Sequence, residues 1–432
     1  MKDFTSDNSI PESLDVQIEK LVYGGDGLAR TEYGVVLVAQ TVPGDFVNLS
    51  AIQKRGGVLR GRVRNIRQPS KQRVSPFCNN FLKGCGGCQW QHIDYREQVR
   101  IKRRIVEESI ERIGKKTVDV PPLICDLHVR QTRLRSVFRV SHNRLEVGFY
   151  RINTHEIVPI KECPLCLSPI NHALSIVGSN VDLLAVVDSV SVITNGKDAH
   201  IHLACRRREI KEHVRNIYGL FNQVRGMSFG LSCSTGRGKP FHFGPQYIEF
   251  STAGLKYLAN GNIFFQGHRT LNEKLVQIIK DLIEDKGDNL LLDLFCGMGF
   301  LSIPVASRFN RVIGIDSHGE SIHIARKNAM LNGFPHLEFF QKNLGLKDSS
   351  LGINSADVVI LDPPRKGCPK RLIGELISLS PSQIIMVSCN PTTMARDLRI
   401  LMNNGYGITS CHVLDLFPQT FHVETIVDLK RM

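Results

Sequence analysis

Between residues 290 and 402 the chain alternates short, wholly apolar segments with helical patterns. The apolar segments end in or next to Asp293, Asp316, Asp362 and Ser388. Continuous apolar runs are typical of parallel strands that are buried on both faces, and a helix between two such strands makes a right-handed crossover. The pattern predicts a Rossmann-like α/β domain over residues 261–432, with its ligand site at the carboxyl ends of the strands.

The helices of this domain are predicted from their apolar spacing. Leu271, Leu275 and Ile278 recur on one helix face. The predicted helices cover residues 271–284, 301–309, 320–331 and 392–402.

Gly297 and Gly299 form a turn after the first predicted strand. Glycines there let a ligand lie against backbone amides, and Asp316 at the end of the next strand can accept hydrogen bonds from a ribose. NAD, FAD and S-adenosylmethionine all fit this arrangement. Ser302 occupies the position of the third glycine of a dinucleotide fingerprint, and Asp362-Pro363-Pro364 is similar to the strand ending of nucleic-acid methyltransferases. The combination favours S-adenosylmethionine.

Cys389 follows the predicted strand over residues 383–387, in the run Ser388-Cys389-Asn390-Pro391. A thiol on the turn where a strand leaves the sheet can be held partly exposed as a nucleophile. The alternative is a small buried core residue, which is the usual environment of a single cysteine. Position alone does not decide between the two.

Residues 1–73 have short apolar strands that are broken by glycines. The pattern predicts a small five-stranded β-barrel that ends in the basic strand over residues 59–64. Barrels of this size commonly bind single-stranded RNA. The segment resembles a TRAM domain, an RNA-binding barrel that is attached to several RNA-modifying enzymes.

The chain has a formal net charge of +14, and its basic residues are clustered. No Asp or Glu lies between Lys54 and Arg73. The other basic groups are Arg100, Lys102, Arg103 and Arg104, and Arg130, Arg133, Arg135 and Arg139. Clustered positive charge indicates a nucleic-acid partner, and the TRAM-like barrel makes RNA the expected one.

Twelve cysteines are present. No apolar run reaches the length of a membrane span, and residues 1–11 lack the apolar core of a signal peptide. We therefore expect a cytoplasmic protein without a membrane partner, in which thiols stay reduced and the cysteines do not form a disulfide framework.

Three of the cysteines have the spacing of metal ligands. Six residues separate Cys78 from Cys85, and two separate Cys85 from Cys88 on a glycine-rich turn. A fourth ligand is required, and Cys163 is the first candidate, with Cys166 as its competitor. Zinc and an iron–sulfur cluster both accept four thiolates, so the spacing leaves the two open. Residues 74–260 are predicted to form a mixed α+β region that carries this site, with a helix over 93–114.

Taken together, the chain resembles the RNA 5-methyluridine methyltransferase family over nearly its whole length. The matching stretches are the TRAM-like start, the four cysteines, Phe264-Phe265-Gln266, 293–299, 328–333, 362–367, 387–391 and His422-Val423-Glu424. The most specific match is a pair of motifs, Asp362-Pro363-Pro364-Arg365-Lys366-Gly367 followed by Ser388-Cys389-Asn390-Pro391. His268 and Phe300 depart from the family pattern and are left out of the predicted site.

The resemblance implies that Cys78, Cys85, Cys88 and Cys163 bind a [4Fe–4S] cluster. It implies that S-adenosylmethionine contacts Gln266, Phe295, Asp316, Asn343 and Asp362. It also implies Cys389 as the nucleophile that adds to uracil C6 and Glu424 as the base that removes the C5 proton.

The predicted activity is methylation of uracil C5 in RNA. The TRAM-like barrel with four cysteines looks more like the large-subunit (23S) rRNA enzymes, although archaeal-type tRNA enzymes share it, so tRNA is the alternative substrate. A non-catalytic iron–sulfur RNA-binding protein is the alternative of another class. No obligate protein partner is implied.

Overall fold

The computed structural model describes residues 10–206, 211–235, 240–283, 290–346 and 350–432. Residues 10–68 contain a six-stranded sheet in the order β1-β5-β6-β4-β3-β2, where the sequence predicts five strands. Its strands are β1 (Ser13–Gln17), β2 (Lys20–Leu21), β3 (Gly27–Thr31), β4 (Gly34–Val38), β5 (Phe46–Arg55) and β6 (Val58–Gln68). Arg60, Arg62 and Arg64 alternate along β6 and are exposed, while Leu59 is buried in the core of the sheet. This period of two gives the sheet one basic face.

The next elements are α1 (Asn79–Leu82), α2 (Tyr95–Ser109) and a wider, π-helical turn (Ile110–Gly114). Asp94 caps α2 by accepting from the backbone amides of Arg96 and Glu97. The helix predicted over residues 93–114 is therefore present, with its last turn widened. Val106 and Ile110 pack into the core of the C-terminal sheet, although they lie more than 150 residues before that sheet in the chain.

A second sheet follows in the order β13-β12-β11-β10-β7-β8-β9. Its strands are β7 (Arg135–Ser141), β8 (Glu146–Tyr150), β9 (Ile157–Pro159), β10 (Val187–Thr194), β11 (Ala199–Cys205), β12 (Phe229–Ser234) and β13 (Phe241–Phe243). The helices of this region are α3 (Ser168–Gly178), α4 (Val181–Leu184) and α5 (Lys211–Phe221). β10 and β11 form an antiparallel hairpin whose turn contains Gly196 with φ +100°.

The C-terminal region begins with the hairpin of β14 (Ile248–Thr252) and β15 (Leu255–Ala259). Its sheet has the order β18-β17-β16-β19-β20-β22-β21. The strands are β16 (Leu290–Leu294), β17 (Arg311–Asp316), β18 (Glu338–Gln341), β19 (Val358–Leu361), β20 (Gln383–Ser388), β21 (Tyr406–Leu414) and β22 (Glu424–Arg431), and the helices are α6 (Leu271–Leu282), α7 (Gly319–Leu331), α8 (Lys370–Leu379) and α9 (Pro391–Met402). β16 to β20 are parallel, and β22 inserts antiparallel between β20 and β21.

Alternate residues of the central strands enter two different cores. Leu291 and Ile360 pack on one face of the sheet, and Leu292 and Leu361 pack on the other. A sheet that is covered on both faces explains the continuous apolar runs, and the predicted Rossmann-like architecture is confirmed.

Two predicted helices differ in detail. The segment predicted as a helix over residues 301–309 forms a 3₁₀ helix (Ile303–Arg308), with Pro304 in its first turn. Proline fits a first turn but donates no backbone hydrogen bond. α6 ends at Leu282, and Glu284, where the prediction ends it, lies outside the described residues. In the described parts of the chain, no helix combines the length and the apolar character that a membrane span requires.

Candidate active site

Cys389 lies directly after β20, at the carboxyl end of a parallel strand, as the sequence predicts. The side chain of Asn390 caps α9 by accepting from the backbone amides of Thr392 and Thr393. The same side chain donates through Nδ2 to the backbone oxygen of Arg365 at 2.9 Å. The turn is thus held to the loop after β19, and the half-buried thiol of Cys389 lies at the edge of the sheet.

Glu424 is the first residue of β22, which pairs with β20 through Ser388 and Thr425. The two residues next to this pair, Cys389 and Glu424, therefore lie at the same end of adjacent strands. Glu424 is 1 % exposed, and its Oε1 has no hydrogen-bond partner among the described residues. Burial, and then the carboxylate of Asp362, raises the pKa of Glu424 well above its usual value. A buried carboxyl group with a raised pKa is suited to take up a proton near neutral pH.

The environment of Cys389 keeps its thiol protonated at neutral pH in the free protein. Burial, followed by the charges of Glu424 and Asp362, raises the pKa of Cys389 to about 12. The guanidinium of Arg365, which hydrogen-bonds to the sulfur, acts in the opposite direction. The arrangement therefore needs a further change, such as substrate binding, before a thiolate forms.

Arg365 and His422 were not assigned a role from the sequence, although both lie in the matching stretches. Arg365 Nη2 is 3.0 Å from His422 Nε2. Burial lowers the pKa of His422 to about 3, with the charge of Arg365 acting in the same direction, so the neutral ring accepts from the guanidinium. Phe421 packs on the His422 ring at 4.1 Å between centroids.

A third residue that the sequence did not reveal comes from the N-terminal region. The hydroxyl of Tyr23 donates to the backbone oxygen of Cys389 at 3.1 Å. Its ring meets Phe421 edge-on at 5.4 Å. A lone tyrosine in a glycine-rich loop carries no pattern that would have identified this contact.

A cavity opens beside the end of β16. The residues that line it are Phe264, Phe265, Gln266, Asp293, Phe295, Cys296, Gly297, Met298, Phe300, Leu301 and Asp362. Three predicted cofactor contacts, Gln266, Phe295 and Asp362, therefore share one cavity. Gln266 is buried, and its Oε1 has no hydrogen-bond partner within the described residues, so the cavity offers an unused acceptor. Phe300, which departs from the family pattern, also lines it.

The backbone of this cavity is strained at one position. Phe295 has φ +64°, a conformation that a bulky side chain rarely adopts. Gly297 follows with φ +54° and open space where a Cβ would project. Positive φ at non-glycine residues clusters at functional sites, where the surrounding structure maintains it.

The other two predicted cofactor contacts lie outside the lining of this cavity. Asp316 ends β17 and accepts through Oδ2 from Gly297 N at 3.0 Å and through Oδ1 from His318 N at 2.8 Å. It therefore borders the glycine turn, where the sequence places it. Asn343 is exposed, and its Oδ1 accepts from Gly345 N at 2.9 Å. The residue before it, Lys342, donates from its backbone to Asp316 O at 2.8 Å.

The carboxyl groups of Asp293 and Asp362, which line the cavity, both have raised pKa values. Burial raises the pKa of Asp293 to about 7, and neither of its carboxylate oxygens has a hydrogen-bond partner among the described residues. Burial and the charges of Asp293 and Asp316 raise the pKa of Asp362 to about 7. Little negative charge is therefore stable here without a compensating positive group, such as a sulfonium.

Cys78, Cys85, Cys88 and Cys163 line a second cavity. Cys166 does not line it and is fully buried, with its sulfur 3.0 Å from Ser136 Oγ. The guanidinium of Arg133 also borders the cavity, where it donates to Gly87 O at 2.7 Å and lies 3.9 Å from the Cys88 sulfur. In the portion of the chain that the structure describes, no group of three or more His, Cys, Asp or Glu side chains has the arrangement that holds a single metal ion.

Two residues of the predicted basic clusters are not available to RNA. Arg133 lies at the cysteine cavity, and Lys102 is wholly buried in an ion pair with Asp415 at 2.6 Å. Basic composition alone does not distinguish an exposed cation from one that is buried with a partner.

The fold and the site define an S-adenosylmethionine-dependent methyltransferase. Residues 95–432 match the family described as tRNA (uracil-5-)-methyltransferase. The chain belongs to this family of RNA uracil-5-methyltransferases, which excludes the non-catalytic alternative.

Relatives of similar length support this assignment. An uncharacterised RNA methyltransferase of Gloeobacter violaceus is 31% identical over 97% of both chains. Another from Aquifex aeolicus is 31% identical over 96% of this chain and 98% of its own. Among solved structures, the Pyrococcus abyssi tRNA (uracil-54, C5)-methyltransferase in complex with S-adenosyl-L-homocysteine has a TM-score of 0.74 and 24% identity, over 96% of this chain and all of that one. This last likeness shows the shared fold.

Proposed function

We propose that the enzyme methylates C5 of a uridine in 23S rRNA through a covalent bond between Cys389 Sγ and uracil C6. The observation that carries the proposal is the pairing of Ser388 with Thr425, which brings the thiol of Cys389 and the carboxyl group of Glu424 to one end of adjacent strands. A nucleophile and a base at one site are what the reaction requires.

Uracil C5 is a weak nucleophile, so direct methylation is slow. Addition of the Cys389 thiolate to C6 forms an S–C6 bond, and the electrons of the C5=C6 bond move onto C5 and O4 as an enolate. C5 then takes the methyl group, which S-adenosylmethionine supplies as an electrophile. Glu424 removes the remaining C5 proton, the C5=C6 bond re-forms, and the S–C6 bond breaks to release the thiolate.

The proton balance agrees with the charges of the site. The half-buried thiol of Cys389 loses its proton to water before it adds, and the guanidinium of Arg365 stabilises the resulting thiolate. The raised pKa of Glu424 makes the group a strong enough base for a carbon acid once it is ionised. Neutral His422 holds Arg365 without competing for this charge.

The residues that we propose for S-adenosylmethionine are Gln266, Phe295, Asp316, Asn343 and Asp362. The unused acceptor of Gln266 and the open backbone at Gly297 support this assignment. Asp316 is suited to the ribose, since it lies at the end of β17 and its Oδ2 accepts from Gly297 of the glycine turn. Asn343 has the weakest support, because it is exposed and outside the cavity.

We further propose that Cys78, Cys85, Cys88 and Cys163 hold a [4Fe–4S] cluster that stabilises the fold. Four thiols line one cavity, and four Cys thiolates are the ligand set of a four-iron cluster. Arg133 would offset the negative charge of the thiolates.

For the domain organisation we propose an RNA-binding part (1–73), a cluster-bearing part (74–260) and a catalytic part (261–432). The exposed arginines of β6 support RNA binding by the first part. A uridine has to leave its stack to enter the site, so a loop or a flipped nucleotide is the substrate. tRNA is the second candidate, because the Pyrococcus abyssi enzyme of the same fold is named for a tRNA uridine.

The test offers the purified enzyme and methyl-labelled S-adenosylmethionine to unmodified 23S rRNA and to unmodified tRNA. Labelled 5-methyluridine in 23S rRNA alone is expected, and the same position should lack its methyl group in a strain without the gene. Cys389→Ala should abolish labelling, whereas Cys411→Ala, in a buried cysteine of β21, should not. Labelling of tRNA alone contradicts the rRNA assignment, and labelling by Cys389→Ala contradicts the covalent mechanism.

A further inference from the structure

The loop over residues 415–423 connects β21 to β22 and leads directly into Glu424. Leu414, the last residue of β21, is the pairing partner of Glu424. Ile124 pairs with the other edge of Leu414, where Ile124 N donates to Val413 O at 2.8 Å and Asp415 N donates to Ile124 O at 2.9 Å. Contacts that fix Asp415 at the start of this loop therefore also fix Leu414, the strand end that pairs with Glu424.

Four hydrogen bonds converge at the start of the loop. Lys102 Nζ donates to Asp415 Oδ1 at 2.6 Å and to Phe417 O at 3.0 Å. Tyr95 donates from its hydroxyl to Asp415 Oδ2 at 2.9 Å, and Phe417 N donates to Asp415 Oδ1 at 3.2 Å. The side chains of Lys102 and Asp415 are both inaccessible to solvent. Tyr95 and Lys102 lie on α2, so one helix holds both Asp415 oxygens.

An ion pair in this position is a poor way to stabilise a protein. Desolvation of two charges offsets most of their attraction, and apolar replacements of buried pairs are often neutral or stabilising. What such a pair does provide is one defined geometry, because each charge tolerates only the position that satisfies its hydrogen bonds. We therefore explain the ion pair by its effect on the position of the loop, and not by a contribution to the overall stability of the protein.

The middle of the loop is held independently. Gln419 has φ +68°, and its backbone oxygen accepts from the amides of Gln89 and Trp90, both at 3.0 Å. Gln98 of α2 donates to Gln419 Oε1 at 3.0 Å. A residue in this sparsely populated conformation persists only where its surroundings maintain it. α2 thus fixes the loop at two points, through Lys102 and through Gln98.

We propose that Tyr95 and Lys102 are positioning residues for Glu424, which hold the loop so that the carboxylate reaches the C5 proton of the covalent intermediate. The inference rests on the proposed role of Glu424. It predicts a defect in one step: addition to C6 and methyl transfer continue, while removal of the C5 proton and the accompanying cleavage of the S–C6 bond become slow.

The test measures two rates in each variant: formation of the RNA adduct that survives denaturing gel electrophoresis, and its decay. Tyr95→Phe removes one hydrogen bond to a charged group and keeps the ring, so decay should slow about tenfold with formation unchanged. Lys102→Met should slow decay further. The single variant Lys102→Met leaves the charge of Asp415 buried and unpaired. The double variant Lys102→Met/Asp415→Leu removes this charge as well and should show the same defect. Affinity for S-adenosylmethionine should stay unchanged in all three.

The matched control is Tyr406→Phe. Tyr406 lies at the opposite end of β21 and donates from its hydroxyl to Pro381 O at 2.9 Å, so this variant loses a buried bond of equal length far from the loop. It should show unchanged decay. Two results would overturn the proposal, provided that Glu424→Gln traps the adduct. One is that Tyr95→Phe and the double variant slow adduct formation and adduct decay equally. The other is that the adducts of these variants decay at the same rate as the adduct of the control. If Glu424→Gln itself turns over normally, the base assignment and this proposal fail together.

Discussion

The hydroxyl of Tyr23 donates to the backbone oxygen of Cys389 at 3.1 Å, between residues that are 366 positions apart in the chain. Burial raises the pKa of Tyr23 to about 12, so the hydroxyl is protonated and remains a donor at neutral pH. The N-terminal sheet, which carries the exposed arginines of β6, is thereby joined to the turn that presents the nucleophile.

Loss of this bond should slow addition to the RNA. Tyr23→Phe removes a hydrogen bond with a net value of about 1 kcal/mol, so adduct formation should fall about fivefold with unchanged affinity for S-adenosylmethionine. Rapid-quench measurement of the adduct checks this. Tyr33→Phe, in the turn between β3 and β4, is the control. Equal rates for the two variants would show that the contact has no influence on Cys389.

The two catalytic roles can be separated. Cys389→Ala should lose both methylation and release of tritium from RNA that carries 5-[³H]uridine, because no adduct forms. Glu424→Gln should stall as a methylated covalent adduct that is visible on a denaturing gel and absent in the double variant. If Glu424→Gln traps no RNA that it binds, Asp362 becomes the carboxylate to test.

Ionisation of the buried Asp293 should lower the folding stability of the protein as the pH rises. Its folded-state pKa of about 7 exceeds the usual value of 3.8, so the folded protein binds the proton more tightly and loses stability between about pH 4 and pH 7. Asp293→Asn cannot lose a proton and should be more stable than the parent above pH 7, by up to about 4 kcal/mol, with the gain falling towards zero near pH 4. Urea unfolding at both pH values measures the difference, and a gain that is the same at both would contradict the assigned cause.

The cysteine cavity predicts which thiols hold the cluster. Anaerobically purified protein should contain iron and acid-labile sulfide, and Cys85→Ser or Cys163→Ser should lose both together with thermal stability. Cys166→Ser, outside the cavity lining, should retain them. Stoichiometric zinc in the parent protein would contradict the cluster, and loss of iron from Cys166→Ser with retention in Cys163→Ser would reverse the choice of fourth ligand.

The basic face of β6 should contribute salt-dependent affinity for RNA. Arg62→Glu with Arg64→Glu should weaken binding and reduce the slope of log affinity against log salt by about 0.7 for each lost phosphate contact. Lys211→Glu with Arg225→Glu makes the same change in net charge elsewhere. Filter binding over a range of salt concentrations compares the pairs, and an equal slope in both would mean that the RNA path does not follow β6.

The sequence by itself determined the parts of the protein that depend on local pattern. Apolar runs that end in Asp293, Asp316, Asp362 and Ser388 predicted the Rossmann-like sheet, because strands buried on both faces require continuous apolar residues. The position of Cys389 at the end of a strand follows from the same pattern. The motif over residues 362–367 with that over 387–391 was sufficient to indicate the family, since a reacting site needs particular side chains at particular strand ends.

Only the tertiary structure decided which distant residues meet. The contacts of Tyr23 with Cys389 and of Lys102 with Asp415 join segments more than 300 positions apart, and no periodicity encodes them. Lys102 was predicted as part of an RNA-binding cluster and is instead buried, because a cation next to a carboxylate is satisfied inside the protein. Burial likewise sets the raised pKa of Glu424 and of Cys389, a property that depends on the volume excluded to water and not on the order of residues.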